Sequence, residues 1–137
     1  MSEMKELKLQ SEIERRIGRL VEEAETLISN LKGNIDKIEA SQIRNVIAVA
    51  NSAPHPAIVT NFIRYQMGRS GAPGKAWKES GLGDRVISAI DKTVRNLASE
   101  ADQAAAFGNV DEVQIRMTRL LLGFMNRRFV YEKEGSK

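Results

Sequence analysis

The side chains best equipped for chemistry here are cations. Arg44 and Arg64 fall on the polar faces of short helical patterns, and Arg69, Lys75 and Lys78 come next within a glycine-rich stretch. Arg85 and Lys92 stand seven residues apart on one polar side of a later helix. Arg116, Arg119 and Arg127 lie within a narrow arc of the last helix, off its main apolar stripe. A guanidinium is a planar fork that matches phosphate oxygens, and an ammonium is a compact point charge. Together they suit a phosphate backbone, with binding that ignores base sequence and weakens with salt. The charge distribution agrees with this. Residues 1–40 carry seven basic and nine acidic groups, residues 41–95 eight and three, and residues 96–137 six and six. A positive middle between near-neutral flanks implies an anionic partner, of which nucleic acid is the commonest.

Other chemistries lack their parts. His55 is the sole imidazole, set between Pro54 and Pro56 in a turn, with no nucleophile or orienting group implied beside it. Gly68, Gly71 and Gly74 do not have the spacing of a phosphate-binding loop, and no Gly-Lys-Ser/Thr sequence occurs. Glu22, Glu23 and Glu25 are helix neighbours without the Glu-x-x-His partner of a di-iron bundle. There is no cysteine, hence neither a disulfide framework nor a thiolate metal site. The expectation is a binding protein rather than an enzyme, with no cofactor, metal or small-molecule substrate. No helix-turn-helix or aromatic RNA-binding motif is evident, so the cations alone do not separate RNA from DNA. The first residues, MSEMKELKLQ, are charged rather than apolar, and no apolar run approaches the roughly 20 residues of a membrane span. The chain reads as cytoplasmic, with no membrane partner.

The elements that must position these cations are helices. With 137 residues, 42% hydrophobic and only three prolines, the chain suits one all-α domain over 1–137. Ile13, Ile17, Leu20, Val21, Ala24, Leu27, Ile28 and Leu31 recur at helical spacing, predicting a long first helix over 1–33 ended by Gly33 and Asn34. Ser41 is the expected cap of a short second helix bearing Ile43, Val46, Ile47 and Ala50. Pro56 opens a third, whose expected core face is Ile58, Phe62 and Tyr65. Residues 70–83, SGAPGKAWKESGLG, read as an internal Gly/Pro-rich loop anchored by Trp77. Val86, Ile87, Ile90, Val94, Leu97 and Ala98 mark a fourth helix. A fifth, capped by Asn109 or Asp111, carries Val113, Met117, Leu120, Leu121 and Phe124 on one face and Ile115, Leu122 and Phe129 on the other. Two apolar stripes mean either burial on both sides or contact with another subunit. About five helices thus form a single compact bundle. Within it Arg69 stands just after Gly68, where it can cap carbonyls, and Arg128 points towards the core side as a structural residue.

Three short sequences, in order, resemble the small helical subunit of type III-A, or Csm-type, CRISPR effector complexes. They are Ser41-Gln42-Ile43-Arg44, Tyr65-Gln66-Met67-Gly68-Arg69, and Phe124 through Val130-Tyr131-Glu132-Lys133 with Gly135 beyond. Phe129 stands before Val130-Tyr131, and the family's alanine between Val and Tyr is missing. The likeness runs from about residue 41 to the end. The related Cmr-type small subunit is the alternative within this class. The resemblance implies a non-catalytic bundle that sits in several copies beside the guide RNA and contacts the backbone of target RNA. Its partners would be guide and target RNA, the other effector subunits and further copies of itself. It implies Arg44 and Arg69 as RNA-facing residues, with Tyr65 and Tyr131 holding the fold.

A reading of another class starts at the N-terminus. Ile13, Leu20 and Leu27, with Ile17, Ala24 and Leu31 between them, make a heptad-like seam that would suit a helical protein–protein adapter.

Overall fold

The computed structural model describes residues 2–135, and all its regular structure is helical. Seven α-helices appear among those residues: α1 (Ser2–Ser29), α2 (Ala40–Ser52), α3 (Pro56–Gly68), α4 (Ala72–Gly74), α5 (Leu82–Ser88), α6 (Arg95–Ala105) and α7 (Val110–Gly135). A 3₁₀ segment covers Lys32–Lys37, and π-helical segments cover Lys75–Glu79 and Ala89–Val94. The second π segment joins α5 to α6 without leaving helical backbone angles, so these three form one long rod. That rod is the fourth helix expected from sequence, and its six periodic residues, Val86 to Ala98, are all buried. None of the helices described is long and apolar enough to cross a membrane.

α7 is the centre. It packs against α1, α2, α3 and α6. Both of its apolar stripes pack into the core: Val113, Met117 and Leu121 are buried on one side with Leu120 and Phe124 half-buried beside them, and Ile115, Leu122 and Phe129 are buried on the other. Of the two explanations for a double stripe, burial within the chain holds. α1 lies along α7 and α6. Most of its seam is used there: Ile13, Leu20, Ala24 and Leu27 are buried inside this one chain, as is Leu31 just beyond the helix, and Ile17 is half-buried. Burying such aliphatic side chains stabilises by about 1.5–3 kcal/mol each relative to leaving them wet. The seam therefore packs largely within this one chain.

The helix count is seven among the described residues rather than about five, because the stretch 70–83 holds the short α4 and a π segment divides the expected fourth helix into α5 and α6. Four further expectations change. The first helix ends at Ser29 rather than near residue 33, and Lys32, in left-handed backbone (φ 52), turns the chain into the 3₁₀ segment. The cap of α2 is Glu39, not Ser41: the Gln42 side chain accepts the Glu39 amide at 2.8 Å in a reciprocal capping box. α3 buries Val59, Thr60, Ile63 and Gln66, leaving Ile58 and Tyr65 exposed and Phe62 half-buried. Two apolar stripes were available on that helix, and the one carrying the slimmer side chains faces the core. The stretch 70–83 is no open loop either. α4 runs straight into Lys75–Glu79, and Trp77 is 1% exposed, the anchor its type suggested. Pro56 at the start of α3 and Asn109 as acceptor for the Glu112 amide both match expectation.

Candidate nucleic-acid interface

α2 and α3 form an antiparallel hairpin through the short turn at 53–55, so the start of α2 and the end of α3 meet at one end of the bundle. Gln42, in the first turn of α2, ties this end to α4: its Nε2 donates to the Ala72 carbonyl at 3.0 Å. Gly74 lies so close to the Arg69 carbonyl that no Cβ fits between them. Gly83 is held likewise, since a Cβ there would stand 2.6 Å from both Met67 Sδ and the Trp77 carbonyl. Glycine here serves close packing rather than flexibility. Ser80 is buried, accepts the Leu82 amide at 3.1 Å and donates to the Ala76 carbonyl, which closes the turn into α5. Lys75 and Lys78 accordingly project from ordered backbone beside the ends of α2 and α3.

The ten cations singled out from sequence do not form one surface. Arg44, Arg69, Lys75 and Lys78 belong to this end, and all four are exposed. Among the described residues none of the four makes an ion pair; Arg69 bonds only the neutral Gln66 amide, at 3.3 Å, and stacks on the Tyr65 ring at 5.5 Å. Arg64 sits one turn before Gly68 on the outer side of α3 and reaches Asp91 at 3.9 Å. Arg85 donates to the Asn30 carbonyl at 3.0 Å, and with Lys92 it lines a groove against α1 that also holds Glu23. Arg127 lies over the Phe124 ring at 5.5 Å, in a separate groove between α1 and α7 that Glu25, Arg128 and Tyr131 share.

Arg116 and Arg119 are fixed within the fold. Arg116 meets both Glu6 oxygens, at 2.8 and 2.9 Å, and Glu112 at 2.7 Å. Hydrogen bonding to Glu6 is the largest cause that pushes its pKa up, and the same contact lowers that of Glu6. Arg119 donates to the carbonyls of Ala50 at 2.8 Å and Ala53 at 2.9 Å, closing the C-terminal end of α2. Their carboxylate and carbonyl partners lie within the fold, away from the start of α2 and the end of α3. Arg128 behaves as expected of a structural residue, bridging Glu25 at 3.0 Å and Glu132 at 2.8 Å.

His55 also has a structural post. Its Nδ1 accepts the Ala57 amide at 3.0 Å, which caps α3, and its Nε2 faces Asp111 at 3.3 Å. Asp111 is bound in turn by Arg95 at 2.7 Å, and that hydrogen bond is the first cause lowering the Asp111 pKa. This chain of contacts clamps the α2–α3 turn to the start of α7.

Both tyrosines depart from expectation. Tyr65 is 60% and Tyr131 71% exposed, so neither holds the core. The register of α3 was the missed signal: a core set on Val59 and Ile63 necessarily turns Tyr65 outward. No family model, curated protein or solved structure matches the chain.

Proposed function

We propose that the chain binds RNA through its phosphate backbone, without sequence preference, as a non-catalytic small subunit of a type III CRISPR effector complex. The observation that carries this is the gathering of Arg44, Arg69, Lys75 and Lys78 at one end of the α2–α3 hairpin. Elsewhere several arginines are matched to carboxylates, as at Arg16, Arg95, Arg116 and Arg128, while Arg85 and Arg119 bond backbone carbonyls and Arg127 lies over the Phe124 ring. At this end, within the described residues, the charges are left without such partners. Unpaired exposed cations on rigid backbone suit phosphate tracking, because counterion release rewards only charges not already neutralised. The motif resemblance supplies the RNA and the complex, and it favours the Csm-type over the Cmr-type. Arg44 and Arg69, the two residues carried over from that resemblance, fall within the same four. Guide and target RNA, neighbouring effector subunits and other copies of the chain are the partners this reading assigns, in the cytoplasm.

The test is fluorescence anisotropy with a single-stranded RNA of about 40 nucleotides against duplex DNA, over a salt series. The expected result is sequence-indifferent binding that prefers RNA, falls steeply with salt, and is lost in the Arg44→Glu, Arg69→Glu double variant with helix content unchanged. Equal RNA binding by wild type and double variant would remove the site, and no RNA binding at low salt would remove the function.

A further inference from the structure

Each of the two tyrosines carries an arginine over its ring: Arg69 over Tyr65 at 5.5 Å and Arg128 over Tyr131 at 5.7 Å. Their electrostatics differ. Arg128 is neutralised by Glu25 and Glu132, whereas Arg69 has only the uncharged Gln66 amide. A tyrosine ring ordinarily contributes most by burial, so one left 60% exposed forgoes that stabilisation. Its position is set by α3, whose other face holds the core, and Ile58, two turns earlier on the same outer side, is 43% exposed.

Resting on the RNA-binding reading, we propose that Tyr65 and Arg69 form a stacking platform for an unpaired base of single-stranded RNA. Arg44, Lys75 and Lys78 hold the phosphates on either side of it. The chemistry comes from the parts. An aromatic face stacks on any base, so the contact is tolerant of sequence and agrees with a backbone-tracking surface. A guanidinium plane over the ring extends the platform and attracts the strand. Bases inside a duplex are already stacked on their neighbours and present no free face. The platform therefore selects unpaired nucleotides, a distinction that four cations alone do not make. Charge favours RNA over a second copy of the chain as occupant, because the surface around Tyr65 is positive and a copy of it would repel.

The experiment uses the whole chain, a 2-aminopurine-labelled single strand and an RNA duplex of equal length, with wild type, Tyr65→Phe and Tyr65→Leu. The leucine variant should bind the single strand roughly 5- to 150-fold more weakly, the range for losing one stacked base. It should keep the wild-type salt slope, duplex affinity and helix content. The phenylalanine variant should behave as wild type, and 2-aminopurine emission should be quenched by both but not by Tyr65→Leu. If wild type binds RNA and the leucine variant binds the single strand equally well, the platform is overturned while backbone binding stands. If wild type binds neither RNA, both proposals fall together. A leucine variant that changes only from dimer to monomer on light scattering, with RNA affinity intact, assigns the face to a second copy and overturns the platform as well.

Discussion

Arg119 shows how completely a cation can be absorbed by the backbone. Its guanidinium reaches the Ala50 and Ala53 carbonyls, which the end of α2 leaves without helical partners. Truncation strands both acceptors in a half-buried place. Arg119→Ala should therefore cost about 1–3 kcal/mol in denaturant unfolding while RNA affinity changes little. A large loss of RNA affinity at unchanged stability would return this residue to the binding face. The clamp at Asp111 makes a second residue-scale prediction, in pH. The Arg95 hydrogen bond lowers the Asp111 pKa, so the stabilisation is complete above the ordinary carboxylate range and disappears as pH falls through the folded value. Wild type should thus melt above Asp111→Asn at neutral pH, with the gap closing below about pH 4. A gap independent of pH would mean the clamp acts through shape and not charge. Legibility at this scale tracked sequence distance. Arg116 with Glu112 is an i,i+4 pair that the helix pattern discloses, whereas Glu6, its other partner, is 110 residues away.

The segment between α3 and α5 is where composition misled most. Glycines at 71, 74, 81 and 83 with Pro73 read as a loop, because such residues usually mark turns. Two of the four do serve turns: Gly71 (φ 77) and Gly81 (φ 84) occupy left-handed backbone. Gly74 and Gly83 instead let helical backbone approach its neighbours, a demand set by tertiary packing that no local pattern records. Trp77 was the legible part, since a lone large aromatic in a glycine-rich stretch has little to do except fill the core. Gly83→Ala should force Met67 and the Trp77 backbone apart and destabilise the chain by about 1–3 kcal/mol, the usual range for overpacking. Because Lys75 and Lys78 ride on the displaced segment, single-stranded RNA affinity should fall in parallel. Thermal melts and anisotropy on the same sample would check it, and an undisturbed melting curve would show that the segment yields easily. The periodic helices, by contrast, were readable nearly to their ends. Their buried sets follow from spacing of three and four, and only α3 offers two stripes, of which the one with Val59 and Ile63 faces the core.

At the scale of the whole molecule, the positive excess between residues 41 and 95 was legible in the sequence, but the division of labour among the charges was not. Pairing is a three-dimensional property. Arg116 and Arg128 are neutralised across the bundle by α1, the most acidic helix, which lies along α7 for reasons of apolar packing. Helix packing thus withdraws cations from one side and leaves those at the far end of the α2–α3 hairpin unmatched. This division fixes a number that binding experiments read directly. On a single strand the slope of log K against log salt is about −0.7 for each phosphate neutralised. Contact through Arg44, Arg69, Lys75 and Lys78 alone should give a slope of about −3, and each single alanine substitution among them should reduce its magnitude by about 0.7. Arg116→Gln should leave the slope where it was. A wild-type slope of about −7 would instead require all ten cations to meet phosphate. The ion pairs at Arg116 and Arg64 would then have to open on binding, and RNA would be reorganising the surface rather than finding it ready.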